Sequence, residues 1–410
     1  MIASATLFDS PIIRSGRVLS MIVGFFFSFR LIITLISVRG FHADAQVGAA
    51  LGIALNMFLL GWTAFCAFGP ADVSYQPILQ AACVRWVVGY LCFSVCSLFW
   101  TEAMSISAAL AYWTAMAADV AIVVFLLRAD DSDEVSLSLM KGYVIGSCAV
   151  GLLAWVLPAQ SDLRLGDEEL LGPNQIGYLC AFAIFFAQYL VIKQAPKWGW
   201  AAILLAVTLV RSLSKTSIIA FVFGEVLILV FSKTIRRKNK VIIALFVSVG
   251  MAAFLPLLEA YYDVYTNAGN QAETLTGRIG IWAVIFDRAL DHPWIGHGFH
   301  SVWKVIPSFG LFEARHAHNE VLQQFYAYGV VGVLMLAGLY FSLYDQVRKL
   351  ESQPIKILLF GLLLFVAIRG LTDTEVFDIS LPLWAITLLS LSLRGTDSSP
   401  SRSFQREESI

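Results

Sequence analysis

Apolar stretches close to twenty residues long recur along this chain, and that pattern leaves few folds open. As an α-helix, each can cross a hydrocarbon layer of about 30 Å with all its backbone N–H and C=O groups bonded inside the segment. Twelve spans are predicted, at 18–38, 47–68, 80–100, 103–127, 138–157, 174–193, 198–211, 214–232, 240–258, 319–344, 355–371 and 378–393. The seventh is short and the eleventh ends near Arg369. Hydrophobic residues make up 58% of the sequence and charged residues only 14%, where soluble domains carry about 25%. The expected fold is therefore all-α and polytopic.

Basic residues orient the spans. With the N-terminus inside, 18 of the 28 Lys and Arg residues fall in inner segments, including the dense run Lys233, Arg236, Arg237, Lys238 and Lys240. Both termini are then cytoplasmic, and the polar stretch between the ninth and tenth spans faces outward. The chain divides into N-terminal spans at 1–258, an extracytoplasmic loop at 259–318, three C-terminal spans at 319–393, and a charged, Ser-rich tail at 394–410 that is expected to be disordered. A net charge of −1 gives no sign of a nucleic-acid partner, and topology accounts for the basic run. The six cysteines lie in or beside spans with no C-x-x-C pair, which suggests neither a disulfide framework nor a thiolate metal site. No small-residue cleavage site follows the first apolar run, so it reads as a retained span.

The chemistry is sought in the outer loop, which holds five of the six histidines. Gly277, Gly280, Pro293, Gly296, Gly298 and Pro307 punctuate it as a set of short folded elements. Ile279, Trp282, Phe286 and Ala289 recur at helical spacing, predicting an amphipathic helix from Thr276 along the membrane surface. Trp282, Trp294 and Trp303 suit a headgroup boundary, and on that reading they only anchor the loop. Arg278 falls in the first turn of the helix, where its charge opposes the helix dipole unless an anion offsets it. A phosphate-bearing ligand would do so; an acid such as Glu273 is the alternative partner.

Asn319 is a good N-cap for the following span, and His318 precedes it in the run Ala314-Arg315-His316-Ala317-His318. An imidazole can take a proton from a sugar hydroxyl near neutral pH, or it can simply hydrogen-bond the loop. The histidine spacing is a weak metal signal and no HExxH pattern supports it, so neither a metal nor a cofactor is expected. Arg211 and Lys215 sit four apart at an outward hairpin, and Arg30 and Arg369 lie nearer the hydrocarbon, where ionisable groups usually carry function. Arg211, Lys215 and Arg369 could converge beneath the loop. Neither His318 nor Arg278 is expected in the packed helix core.

At these residues the chain resembles bacterial O-antigen ligases and the related O-antigen and exopolysaccharide polymerases. His318-Asn319, nine residues, then Gly329-Val330-Val331-Gly332 reproduces the His-Asn-x9-Gly-x-x-Gly signature of that superfamily. The start Thr276-Gly277-Arg278 with Trp282, and the run His292-Pro293-Trp294-Ile295-Gly296-His297-Gly298, look like it too. The resemblance is densest from Gly172 to Val347, including Gly172-Pro173-Asn174 and Arg211 to Ser217, while the first 170 residues match only as hydrophobic spans.

The resemblance implies a metal-independent, inverting glycosyltransferase on the outer face of the bacterial inner membrane. Such an enzyme moves a glycan from a polyprenyl diphosphate carrier to an acceptor sugar hydroxyl. His318 matches the base that activates the acceptor, and Arg211 and Arg278 match the arginines that hold the diphosphate. Lys215 and Arg369 join them by topology and charge, with Asn319, His316 and Arg315 in support. A diphosphate is already a good leaving group, so cations, a base and positioning suffice, and two Arg forks can stand in for a divalent ion. The expected partners are the lipid-linked donor, a glycan or lipid A core acceptor, the bilayer and other polysaccharide assembly proteins. The compact loop favours a polymerase over a ligase. Twelve spans would also suit a transporter or flippase of lipid-linked glycan, against which stand the position of the loop after the ninth span and the lack of paired broken helices.

Overall fold

The computed structural model describes residues 11–68, 81–158, 160, 163–167, 169–233, 236–256, 259–260, 275–306, 316–375 and 379–397. Helices dominate: α1 (Pro11–Phe29), α2 (Ala45–Phe68), α3 (Ala82–Cys96), α4 (Ile106–Ala129), α5 (Ser132–Val156), α6 (Pro173–Lys193), α7 (Trp198–Arg211), α8 (Lys215–Phe231), α9 (Arg237–Ala253), α10 (Leu275–Ala289), α11 (Val302–Val305), α12 (Glu320–Arg348), α13 (Gln353–Gly370) and α14 (Leu383–Asp397). Among the described residues there is no strand, only an isolated bridge between Asp167 and Leu171. The chain is an all-α, polytopic membrane protein.

Eight helical segments among the described residues are long and apolar enough to cross a membrane, and they correspond to the first six, the tenth and the eleventh predicted spans. The other four fall on α7, α8, α9 and α14, which are 14, 17, 17 and 15 residues long. An α-helix rises about 1.5 Å per residue, so these helices stop short of a perpendicular crossing of about 30 Å.

Packing explains the residue choice. α6 is apolar on every side and is buried along most of its length, as a helix at the centre of a bundle must be. α1 lies against α5 at van der Waals distance: a Cβ on Gly24 would meet the Leu139 carbonyl at 1.9 Å, and one on Gly142 the Met21 carbonyl at 1.9 Å. With no hydrophobic drive between helices in lipid, such small-residue contacts supply the packing energy. The segment between α9 and α12 has its own small core of Ile281, Ile285 and Ala289 from α10 with Val302, Ala317 and Tyr326, while Ile279 and Phe286 on the other face of α10 stay exposed.

The loop is fastened to the bundle by a break in α12. Gly329 has φ 63° and ψ −156°, outside the helical region. In an unbroken helix the N–H groups of Val330 and Val331 would bond the carbonyls of Tyr326 and Ala327. Instead Val330 donates to Pro293 O (2.8 Å) and Val331 to Trp294 O (3.3 Å), while the freed Tyr326 and Ala327 carbonyls accept from His297 N (3.0 Å) and Gly298 N (2.8 Å). All four groups stay bonded, which a membrane-embedded break requires. The approach leaves no room for side chains: a Cβ on Gly329 would lie 2.3 Å from Trp294 C, and one on Gly296 2.4 Å from Ala327 C.

Candidate active site

The break and the N-terminus of α12 set the site. Asn319 caps the helix, its Oδ1 accepting from Leu322 N (2.9 Å), and its Nδ2 donates to Leu371 O (3.0 Å), tying α12 to the segment after α13. One residue earlier, His318 has φ 50°, a left-handed conformation that costs a non-glycine residue about 1–3 kcal/mol and clusters at functional positions. Its Nδ1 lies 3.1 Å from Asp373 Oδ1. A carboxylate accepts, so Nδ1 carries the proton and Nε2 keeps the lone pair, which is the geometry of a base oriented by a third group.

Asp373 is 2% exposed; its Oδ1 also accepts from Thr374 N (3.1 Å), and Arg369 Nη2 stands 3.9 Å from its Oδ2. Burial alone would raise its pKa, but the His318 hydrogen bond and the Arg369 charge hold it well below the ordinary carboxylate range. Arg369 also donates to Glu375 Oε1 (2.8 Å) and lies 4.0 Å over the Tyr178 ring. The second histidine, His316, accepts the His318 N–H on its own Nδ1 (3.3 Å). Burial, then the neighbouring His318, push its pKa down to about 3, so it is neutral at physiological pH.

Two guanidinium groups complete the site. Arg278, 8% exposed, donates through Nη1 to the Thr372 carbonyl, while its Nε has no hydrogen-bond partner among the described residues. Arg369, 2% exposed, has no hydrogen-bond partner for Nε or Nη1 among the described residues. An unfilled buried polar group costs about 1–3 kcal/mol, more when charged, so these donors point to an anion that accepts from them. One turn beyond Arg278, Trp282 Nε1 donates to Ala317 O (2.9 Å). The Thr-Gly-Arg-x-x-x-Trp pattern thus clamps α10 to both walls of the site.

The structure therefore brings Arg278, His316, His318, Asn319 and Arg369 together. His318 and Arg278 are both buried there, at 6% and 8% exposed. Arg211 donates to Leu163 O (2.7 Å) and faces Trp155, and Lys215 is exposed at the start of α8; neither has a described hydrogen bond to the His318 cluster. Nearby, Ser214 Oγ donates to Asn174 Oδ1 (3.0 Å), joining the Gly-Pro-Asn and Arg211–Ser217 stretches. Arg315 and Glu273 lie outside the described residues.

Sequence reasoning missed Asp373 as the partner of His318, although its place four residues after Arg369 was a signal. It also missed Gln323, whose Oε1 accepts from Ala317 N (3.0 Å) and whose Nε2 donates to Glu375 O (2.8 Å). Glu320 was overlooked as well; it accepts from Ser380 N (2.5 Å) and the Tyr340 hydroxyl (2.8 Å).

Among the described residues two groups could hold a metal by composition: Glu102, His292 and His297, and His316, His318 and Asp373. In the first, His297 Nε2 is engaged by Arg288 O (2.9 Å) and Nδ1 by Glu102 Oε1 (3.0 Å). In the second, His316 Nδ1 is taken up by the His318 N–H. Beside the cluster, a cavity of about 460 Å³ runs among α1, α2, α4 and α6, from Gln175, Tyr178 and Glu375 to Arg30, Asn56 and Asp119.

The O-antigen ligase family matches residues 200–337, the stretch that carries Arg211, Arg278, His318 and Gly329. Over that stretch the chain is similar to the O-antigen ligase family. It is accordingly a membrane enzyme of the glycosyltransferase type. It is 23% identical over 374 residues to the exopolysaccharide production protein ExoQ of Rhizobium meliloti, covering 81% of this chain and 84% of that protein. To an O-antigen ligase of Pseudomonas aeruginosa it is 27% identical over 142 residues, covering 35% of this chain and 33% of that protein.

Proposed function

We propose that the chain is an exopolysaccharide or O-antigen polymerase that moves a glycan from a polyprenyl diphosphate to the hydroxyl of an acceptor sugar at the outer face of the inner membrane. The observation that carries this reading is the pairing of His318 with Asp373 beside two buried guanidinium groups with unfilled donors. His318 Nε2 takes the acceptor proton as the hydroxyl oxygen attacks the anomeric carbon from the face opposite the diphosphate. The bond to the phosphate oxygen breaks, and the electron pair leaves with the diphosphate, whose growing charge meets Arg278 and Arg369. Asp373 holds the imidazole in the basic tautomer and stabilises the imidazolium. Arg211 and Lys215, on the neighbouring hairpin, bind the donor further from the reacting bond.

A polymerase is favoured over a ligase because the match to the exopolysaccharide production protein spans most of both chains, whereas the ligase match covers about a third. Transfer of the glycan to lipid A core is the second reading. The donor and the acceptor are the substrates, and the reaction needs no metal because two fixed guanidinium forks supply the positive charge.

The test uses purified protein with a lipid-linked repeat unit and follows chain lengthening. His318→Ala is expected to slow transfer by roughly 10²–10⁴-fold while donor still binds, and excess EDTA to leave the wild-type rate unchanged. A fully active His318→Ala enzyme removes the base, and loss of turnover restored by zinc, magnesium or manganese removes metal independence. Sidedness is read from cysteines at Asp291 and Asn239 in intact cells: an impermeant thiol reagent should label the first alone.

A further inference from the structure

Arg30 stands where the first membrane-crossing segment, Gly16–Gly40, stops being regular. α1 ends at Phe29, Arg30–Ile32 wind as a 3₁₀ turn, and Ile36–Gly40 as a π turn. Such irregular turns inside a helix mark functional positions more often than chance, and a cation within a span is costly unless it is paired. Here the partner is Asp119 of α4, whose Oδ2 lies 2.6 Å from Arg30 Nη1. Asn56 of α2 donates to the other oxygen (2.9 Å), so the carboxylate is shared.

A pair that served only to join helices would be buried at both ends. This one is lopsided: the Asp119 side chain is 6% exposed, but that of Arg30 is 35% exposed and lines the 460 Å³ cavity. Glu375 lines the same cavity and lies within reach of the Arg30 charge. Glu375 accepts from Arg369, Arg369 stands 3.9 Å from Asp373, and Asp373 pairs with His318, so the cavity that Arg30 lines leads to the reacting histidine.

We propose that Arg30 is a second anion-binding residue of the cavity, receiving the carrier-side phosphate of a prenyl diphosphate and holding the diphosphate left when the glycan departs. The inference rests on the donor being a prenyl diphosphate, as read above. When the bond between the anomeric carbon and the phosphate oxygen breaks, the electron pair stays on that oxygen and the carrier gains one negative charge. Arg278 and Arg369 meet it at the reacting end. Arg30 meets the other phosphate, toward the membrane interior where the prenyl chain must lie. An Arg fork suits phosphate oxygens, and the apolar wall of the cavity, with Phe27, Leu31, Ile53, Met116 and Trp384, suits a hydrocarbon chain.

The test measures binding of farnesyl diphosphate and farnesyl monophosphate to the purified full-length protein, together with kcat and KM for lipid-linked glycan. The variants are Arg30→Gln, and Arg30→Gln combined with Asp119→Asn, which keeps the hydrogen-bonding shapes and leaves no unpaired carboxylate. Both are expected to weaken farnesyl diphosphate binding by tenfold or more and to raise KM. Monophosphate affinity should fall by a similar factor, because its one phosphate is the carrier-side one, and the double variant should melt as the wild type does. Diphosphate affinity within twofold of wild type in the folded double variant overturns the proposal. So does failure of both variants to fold, which would make Arg30 a structural group. Wild-type protein that neither binds farnesyl diphosphate nor turns over lipid-linked glycan defeats the donor reading instead.

Discussion

Replacing Asp373 with Asn removes one charge and almost no volume, and it should disable the base without unfolding the site. In the structure Asp373 Oδ1 takes the His318 Nδ1 proton at 3.1 Å and Oδ2 stands 3.9 Å from Arg369 Nη2, with the whole residue 2% exposed. A hydrogen bond to a charged group contributes about 1.5–3 kcal/mol. At about 1.36 kcal/mol per decade, losing that support as the imidazolium forms slows proton transfer by roughly 10–150-fold. The amide adds a second fault. Its NH₂ can donate to Nδ1 and so drive the proton onto Nε2, where it blocks acceptance from the acceptor hydroxyl, and the loss then extends toward the roughly 10²–10⁴-fold that a general base supplies. Single-turnover transfer on purified Asp373→Asn measures the sum, with donor affinity followed in parallel. Donor binding should be nearly unchanged, since Arg278 does not depend on Asp373 and Arg369 keeps Glu375 as its acid. A wild-type rate, or a slow rate explained entirely by lost donor binding, would refute the orienting role.

Three further outcomes follow from the same geometry. Gly329→Ala puts a Cβ 2.3 Å from Trp294 C at φ 63°, so it should undock the His292–Gly298 run and destabilise the protein by about 2 kcal/mol or more, read as a lower melting temperature; an unshifted melt would mean the break tolerates a side chain. His316, held neutral with its pKa near 3 in the folded protein and about 6.5 when unfolded, contributes stability that is present above pH 6.5 and lost as pH falls toward 3. His316→Gln should flatten the fall in melting temperature over that window, and parallel curves for the two proteins would contradict the shift. Arg278→Lys keeps the charge but loses the fork, and donor affinity is expected to drop about tenfold, the loss of one charge-assisted hydrogen bond; equal affinity would show that charge alone matters there.

Composition and periodicity alone determined that this chain is a helical membrane protein, because the hydrocarbon interior admits so few backbone solutions that length and apolarity nearly dictate the fold. Local signals also carried the cap at Asn319, the helix carrying Arg278 and Trp282, and the His-Asn-x9-Gly spacing, since each depends on residues close in sequence. Apolarity alone read α7, α8, α9 and α14 as spans, whereas their described lengths, 14 to 17 residues, fall short of a perpendicular crossing. The spacing to Gly329 was visible without its reason. Only the fold reveals that the glycine breaks α12 so that the loop's backbone can take over two helix hydrogen bonds. Likewise the union of His318 with Asp373, 55 residues away, depends on α12 and α13 lying side by side, and no pattern along the chain records that distance. The same holds for the wide separation of Arg30 from Asp119 in sequence and their contact in space. Periodicity encodes which face of a helix is buried; which helices then share a face is decided by packing between segments remote in sequence.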